Sequence, residues 1–443
     1  MAAPADAADT GAIARLREQG VEIVAGSITD LAGVTRAKYV PVQRLTAFER
    51  SGMGASPSWS VFCADTGIAS VPGIGVVGDL RIRISGDDVR VISDGVGWAP
   101  GGLFDQSGQP SPLCTRALLA RVEAALAERG LSARVGAEIE CTLLSGQGGH
   151  ASDETWTPYG LRTSLDRSGF LLDVVRDAER TGLGIEQLHT EYGHDQFEVS
   201  LAPDSPVAAA DAVVLARIVL SRAARRHGMT ISFAPVAFAD DAGNGAHVHV
   251  SLSDAEGPLL AGGDGPHGIR SAGGAAIGGI LAALPDLIGL YAGSVLSALR
   301  LKPGNWAGGS ACWGLENREA AVRFIAGSPA NPHGANVELK IIDGTANPYL
   351  AIAAMLGSAL RGIDLGFELP PEVTGNPMTS GAPPLPTDLG DILDTFESSA
   401  VSAELLSAPI VRGVAAVRRY ELYNYGDRPA AEVVEALRLA WTC

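Results

Sequence analysis

Apolar and polar positions along this chain follow two different periods, and the change between them divides it. Up to about residue 105 the apolar residues fall in short runs: "VEIVAGSITD", "TRAKYVPV", "LRIRIS" and "DVRVISD". Runs of this length and composition predict strands. One helical stretch, "PVQRLTAFERSG", lies among them. "WAPGGLFDQSGQPSPLC", residues 98–114, is rich in turn formers and reads as a linker. After it, "TRALLARVEAALAERG" spaces its apolar residues three and four apart and closes on Gly130, which predicts a helix. Further strands are expected in "ARVGAEIECTLL", in two segments of "GIEQLHTEYGHDQFEVSLA", in "MTISFAPVAFA" and in "AHVHVSLSD". Helices are expected in "AADAVVLARIVLSRAARRHG", in "NPYLAIAAMLGSALRGID" and through most of the last sixty residues.

This order of elements predicts an α+β protein, with a small domain at 1–105 and a large one at 106–443. Several strands follow one another, so a regular βαβ repeat is excluded. No internal repeat, P-loop or G-x-G-x-x-G element is present. The most apolar long stretch, residues 271–299, carries Pro285 and Asp286 near its centre and many Gly and Ala, and reads as a buried helix pair rather than a membrane span.

Composition narrows the partners. The chain has 443 residues, 46% of them hydrophobic, enough for a large core. A net charge of −17 argues against nucleic acid or an anionic membrane surface. Anionic small substrates stay open, because arginines cluster locally. The start, "MAAPADAADTGAIARLREQG", has no basic n-region before an apolar h-region, so no secretory signal is expected. Cysteines 63, 114, 141, 312 and 443 are odd in number and without C-x-x-C spacing, which reads as reduced thiols in the cytoplasm.

Candidate chemistry lies in the large part. Glu138 and Glu140 sit two apart in an apolar strand, so their carboxylates share one face and repel unless solvated or neutralised. Taken alone, the pair reads as a solvated sheet face. Glu191 and Glu198 flank a turn containing Gly193. His247 and His249 share a strand face behind a Gly-rich approach, and Glu338 interrupts an apolar strand. Together these supply oxygen-rich sites with one imidazole, which suits Mg²⁺ or Mn²⁺. "RLKPGNWAGGSACWGLENREAAVRF" sets Arg300, Arg318 and Arg323 among glycines. Two divalent ions beside arginines form a phosphoryl-transfer constellation.

These pieces resemble, in matching order over nearly the whole chain, the glutamine synthetase family. "GAEIE" is similar to its G-x-E-x-E strand, "HTEYGHDQFE" to its H-x-E…Q-x-E element, and "GNGAHVHVSL" to its G-x-G-x-H-x-H-x-S-L element. "RLKPGNWAG…ENREAAVR" is similar to its arginine loop, and "VELKIIDGTANPYLAIAAML" to its E-x-R…A-N-P-Y-L segment. "DLAGVTRAKYVP" fits its small β-grasp domain.

The resemblance implies a β-grasp domain followed by a catalytic domain with an antiparallel sheet and flanking helices. It implies one metal site of Glu140, Glu191 and Glu198 and another of Glu138, His247 and Glu338. Gly243 and Arg300 would hold glutamate. Arg318 and Arg323 would act on the phosphates, and Ser251 and Asn336 would lie on the nucleotide side. Cofactors would be ATP and two or three Mg²⁺ or Mn²⁺. ATP would phosphorylate the glutamate γ-carboxylate, and an amine would attack the acyl phosphate. The assembly would be a homo-oligomer, a dodecamer of two hexameric rings with active sites between subunits.

Four positions depart from the family pattern, one of them Asn336, which stands two residues before Glu338 where an arginine is common in the ammonia-using enzymes. The flap glutamate of the ammonia-using enzymes falls on Trp306, and an acid of their ammonium site falls on or near Ala55. Ammonium needs carboxylates to bind it and take its proton. Trp and Ala instead give an apolar wall, which suits an amine bearing carbon, and Trp also faces cations through its ring. The expectation is a γ-glutamyl-amine ligase acting on a small amine such as ethanolamine, since few acids mark a polyamine site. The alternatives are a polyamine ligase, an ammonia-using enzyme, and a non-catalytic ATP or glutamate sensor. The arginine of E-x-R is Lys340, which keeps charge without the bidentate fork, on the glutamate side of the site.

Overall fold

A six-stranded and a nine-stranded sheet organise the chain in the computed structural model, which describes residues 7–302, 304–331 and 334–443. The smaller sheet contains β1 (Ile23–Thr29), β2 (Thr35–Pro41), β3 (Met53–Ala55), β4 (Leu80–Ile84), β5 (Arg90–Ser93) and β6 (Val96–Phe104). Its order is β2-β1-β6-β4-β3, with β5 also on β6. β1 and β6 run parallel and the other pairs antiparallel.

The linker reading of residues 98–114 is corrected here. Residues 98–104 belong to β6, which pairs with β1, β4 and β5. Pro100, Gly101 and Gly102 look like turn formers, but the glycines serve close packing: a Cβ on Gly101 would lie 2.9 Å from the Ser27 carbonyl oxygen. The turn comes after the strand, where Asp105 Oδ1 accepts from the amides of Ser107 and Gln109.

The larger sheet contains β7 (Ser132–Ser145), β8 (Ile185–Thr190), β9 (Gln196–Asp204), β10 (Met229–Ser232), β11 (Val248–Asp254), β12 (Gly257–Pro258), β13 (Ser310–Leu315), β14 (Ala320–Ile325) and β15 (Asn336–Leu339). Its order is β13-β14-β15-β11-β7-β9-β8, with β10 on β7 and β12 on β11. All its pairs are antiparallel except β13 with β14. This is the α+β arrangement expected from the order of elements.

Helices Thr115–Glu128, Pro206–Arg226 and Ser271–Tyr291 pack with the sheet, and Pro348–Leu365 packs on those three helices. The expected helix pair at 271–299 is instead one long helix running through Pro285, followed by a single turn, Ser297–Arg300. The long helix meets Pro348–Leu365 at glycines: a Cβ on Gly279 would sit 2.6 Å from Gly362 Cα. That approach explains its Gly and Ala content. By length and composition it is apolar enough to cross a membrane, and 78% of that window is buried inside the protein.

One tie between the small sheet and the large part of the chain runs through Asn347. Asn347 caps the helix Pro348–Leu365 by accepting from the amides of Tyr349 and Leu350. Its Nδ2 donates to the carbonyls of Thr29 and Asp30 in the small sheet.

Candidate active site

Strand register builds the site. Residues 136, 138 and 140 of β7 share one face by alternation. Glu140 lies directly opposite Glu198 on β9, and Glu198 opposite His189 on β8. In the other direction Gly136 lies opposite His249 on β11, His249 opposite Glu338 on β15, and Glu338 opposite Arg323 on β14. Two cross-strand rows of chemistry thus run over one face, with Glu138 between them.

The acids converge on His247. Its Nδ1 lies 3.0 Å from Glu138 and 3.4 Å from Glu338, and its Nε2 lies 3.7 Å from Glu140. His249 Nε2 lies 3.4 Å from Glu138, while its Nδ1 lies 2.9 Å from Asn336 Oδ1. An Nδ1–H given to that oxygen leaves Nε2 as the acceptor or ligand atom. His189 lies 3.2 Å from Glu198 and 3.6 Å from Glu191. Gln196 Nε2 and the Gly245 amide hold Glu140 Oε2 at 3.2 and 2.8 Å.

Electrostatics shows an excess of carboxylates. Burial and the nearby charge of Glu140 raise the pKa of Glu191. Burial would also raise Glu138, but hydrogen bonds from His247 and His249 outweigh it and hold its carboxyl far below the usual range. Glu338, fully buried, is kept at about 2 against burial by Lys340 and the two histidines. His189 is pushed up to about 9, first by its hydrogen bond to Glu198. A partly buried carboxylate such as Glu191, whose proton affinity a neighbouring carboxylate raises, fits a divalent cation.

Within this cluster the described residues form three sets of ligand atoms close enough for one ion: Glu138, Glu198 and His247; Glu138, His249 and Glu338; and His189, Glu191 and Glu198. All six expected ligands lie in or beside this cluster, and the sets cross the two groups that the resemblance implied. His189 and His249 join them. Both stood in the quoted motifs, and His249 shared the face of His247, but their register partners were not legible.

The arginines divide. Arg323 Nη1 lies 2.9 Å from Glu338, and its buried Nε has no hydrogen-bond partner among the described residues. Arg300 is buried and donates to the carbonyls of Ile341 and Lys340, with Nη2 3.2 Å from His247 Nε2. Its placement needs Gly243, where a Cβ would lie 2.7 Å from Arg300 Cγ. Arg318 is exposed in the turn between β13 and β14 and makes no ion pair among the described residues. Lys340 Nζ turns to Glu338 at 3.0 Å, and Asn336 serves His249. Ser251 follows His249 by two on β11, on the same face.

Trp306 is 63% exposed and has φ +53°, uncommon for a bulky residue. Its loop is pinned on both sides: Asn305 Nδ2 donates to the Arg300 carbonyl, and Gly308 packs on Lys340. Pro303 of the same motif lies outside the described residues. Ala55 ends β3 and is buried in the small domain's core. Tyr159, not singled out in the sequence, donates its hydroxyl to Glu191 at 2.9 Å, and its pKa is pushed up to about 12 by burial and that carboxylate.

Comparison with known proteins identifies the family. The model of the glutamine synthetase catalytic domain matches residues 112–436. The chain belongs to the glutamine synthetase family. It is 36% identical over 422 residues to a gamma-glutamylpolyamine synthetase of Streptomyces coelicolor, covering 91% of this chain and 90% of that one. A gamma-glutamylethanolamide synthetase of the same organism is 27% identical, covering 78% and 76%. A solved glutamine synthase homolog superimposes with a TM-score of 0.87 at 30% identity, covering 95% of this chain and 99% of that one. Within the glutamine synthetase family, the chain's similarity extends to members that take organic amines.

Proposed function

We propose that this glutamine synthetase homologue is an ATP-dependent, ADP-forming ligase that joins the γ-carboxyl of glutamate to an organic amine. The observation that carries this reading is Trp306, set where an ammonium-binding carboxylate was expected, on a loop pinned to Arg300 and Lys340. Mg²⁺ or Mn²⁺ held by the Glu and His cluster would neutralise phosphate charge. Arg300 orients the glutamate beside His247. Arg323 offers its unpaired Nε to the transferring phosphoryl group. Tyr159 and Glu191 line the side where the amine would approach. Exposed Trp306 and Arg318 suit a site completed by a neighbouring subunit, in a dodecamer of two hexameric rings in the cytoplasm.

Ethanolamine is the amine favoured by an apolar wall with few acids. A polyamine is the second reading, supported by the 36% identical relative whose name gives that substrate class. The test is amine-dependent ADP release with ATP, Mg²⁺ and glutamate across ammonium, ethanolamine, methylamine, ethylamine, putrescine and spermidine, with products weighed. A γ-glutamylated organic amine with little glutamine supports the reading. Preference for ammonium overturns it, and no ADP with any amine points to a sensor. Glu138→Ala or Glu140→Ala should abolish the turnover found.

A further inference from the structure

The turn after β8 carries a second cluster that the proposed reaction does not use. His194 and Asp195 occupy that turn, and the chain before helix Leu161–Asp166 brings His150 to them. The Asp195 side chain is fully buried. Its Oδ1 accepts from Arg167 Nη2 at 2.9 Å, and its Oδ2 accepts from the Ser152 amide at 3.1 Å. The same Oδ2 faces His194 Nε2 at 3.6 Å and His150 Nδ1 at 3.9 Å. Both ring nitrogens are shut off from solvent, and neither has a hydrogen-bond partner among the described residues.

These separations are too long for hydrogen bonds. They approach the roughly 3.3 Å between two ligands of one tetrahedral ion with bonds of about 2.0–2.1 Å. The three ligand atoms lie within 4.8 Å of one another. Buried polar atoms left without partners call for an explanation such as an ion. The backbone adds to the case, because Asp195 has φ +56°, a left-handed conformation that costs a non-glycine residue energy. Aromatic rings wall the cluster. His150 stacks on His194 at 4.4 Å and on Phe238 at 3.9 Å, and Trp156 flanks His194 at 5.7 Å.

We propose that His150, His194 and Asp195 bind one divalent cation of the Zn²⁺ or Co²⁺ class, separately from the catalytic cluster. Two imidazoles and one carboxylate with an open position suit such an ion, whereas Mg²⁺ prefers an all-oxygen shell. Arg167 stays on Oδ1 and leaves Oδ2 to the ion. Binding requires at least one ring to turn well out of the 22° stack, because the in-plane lone pairs of near-parallel rings do not meet at one centre. The ion would clip the His150 segment to the turn after β8. That segment also carries Trp156, whose Nε1 donates to the Glu191 carbonyl, and Tyr159, which bonds the Glu191 carboxylate. Occupancy therefore acts on Glu191 through position and not through contact with substrate.

The test dialyses the full-length protein against Zn²⁺ in a large excess of Mg²⁺ and counts retained zinc. The wild type should keep one Mg²⁺-resistant Zn²⁺ per chain. His150→Ala and His194→Asn should each lose it, while Glu138→Ala keeps it. X-ray absorption on the wild type should show two imidazoles on the zinc, which decides the matter even if a variant fails to fold. No Mg²⁺-resistant zinc, an unchanged count in both histidine variants, or a spectrum without two imidazoles would overturn the proposal.

Discussion

Lys340 Nζ lies 3.0 Å from Glu338 Oε1, and both side chains are buried. The lysine stands where the family pattern has an arginine, and here it neutralises a carboxylate of the Glu and His cluster. Arg323 holds the other oxygen of Glu338 at 2.9 Å. Removing one partner of a buried pair leaves charge uncompensated. Lys340→Met is therefore expected to cost about 2–3 kcal/mol, somewhat less than for an isolated buried pair because Arg323 remains. Lys340→Arg should recover most of it. Denaturant unfolding of the three proteins checks this, and a Met variant as stable as wild type would refute the role.

Gly243 is predicted to govern the glutamate subsite through Arg300. A Cβ there would lie 2.7 Å from both Arg300 Cγ and the Pro235 carbonyl oxygen. The backbone oxygen cannot yield, so the arginine must move. Gly243→Ala should raise the KM for glutamate by about tenfold or more, the equivalent of roughly 1.4 kcal/mol of lost binding. The KM for ATP should change much less. Equal rises in both would point to general disruption.

Trp306→Glu returns a carboxylate to the exposed loop beside Arg300. It should shift the kcat/KM ratio toward ammonium over organic amines by about tenfold, one well-placed charge in a partly solvated site. Unchanged amine selectivity would make Trp306 a packing residue, for instance between subunits.

Asp30 gives a pH dependence away from the metal cluster. Burial raises its pKa to about 6, although Arg36 at 2.6 Å and the amides of Val34 and Ala32 pull it down. The folded value lies above the ordinary 3.8, so the folded state holds this proton more tightly than the unfolded chain. The associated stability is present below pH 3.8 and is lost as pH rises through about 6. With about 1.4 kcal/mol per pH unit, the loss is on the order of 3 kcal/mol. The Tm of Asp30→Asn relative to wild type should therefore rise between pH 4 and 7. A difference independent of pH would refute the assignment.

Much of the site was legible because its signals are local. Alternation alone puts Glu138 and Glu140 on one face, and the motifs around Glu191, Glu198, His247 and Glu338 each announce polar chemistry in apolar surroundings. The same locality misled at residues 98–104. Pro-Gly-Gly is turn chemistry in isolation, yet β6 uses Gly101 to admit the backbones of β1 and β4 on either side.

What the sequence determined by itself is the α+β class, the family and the inventory of candidate ligands, since periodicity and ordered motifs are properties of neighbouring residues. Tertiary structure alone decided which ligands meet. Register sets His249 against Glu338 and His189 against Glu198, pairs brought together by hydrogen bonding between strands. It also decided that Lys340 faces Glu338, that Arg318 and Trp306 stand exposed, and that His150 reaches Asp195 across 45 residues of chain. Side-chain chemistry is written in single residues, but distance between them is set by the packing of the whole chain.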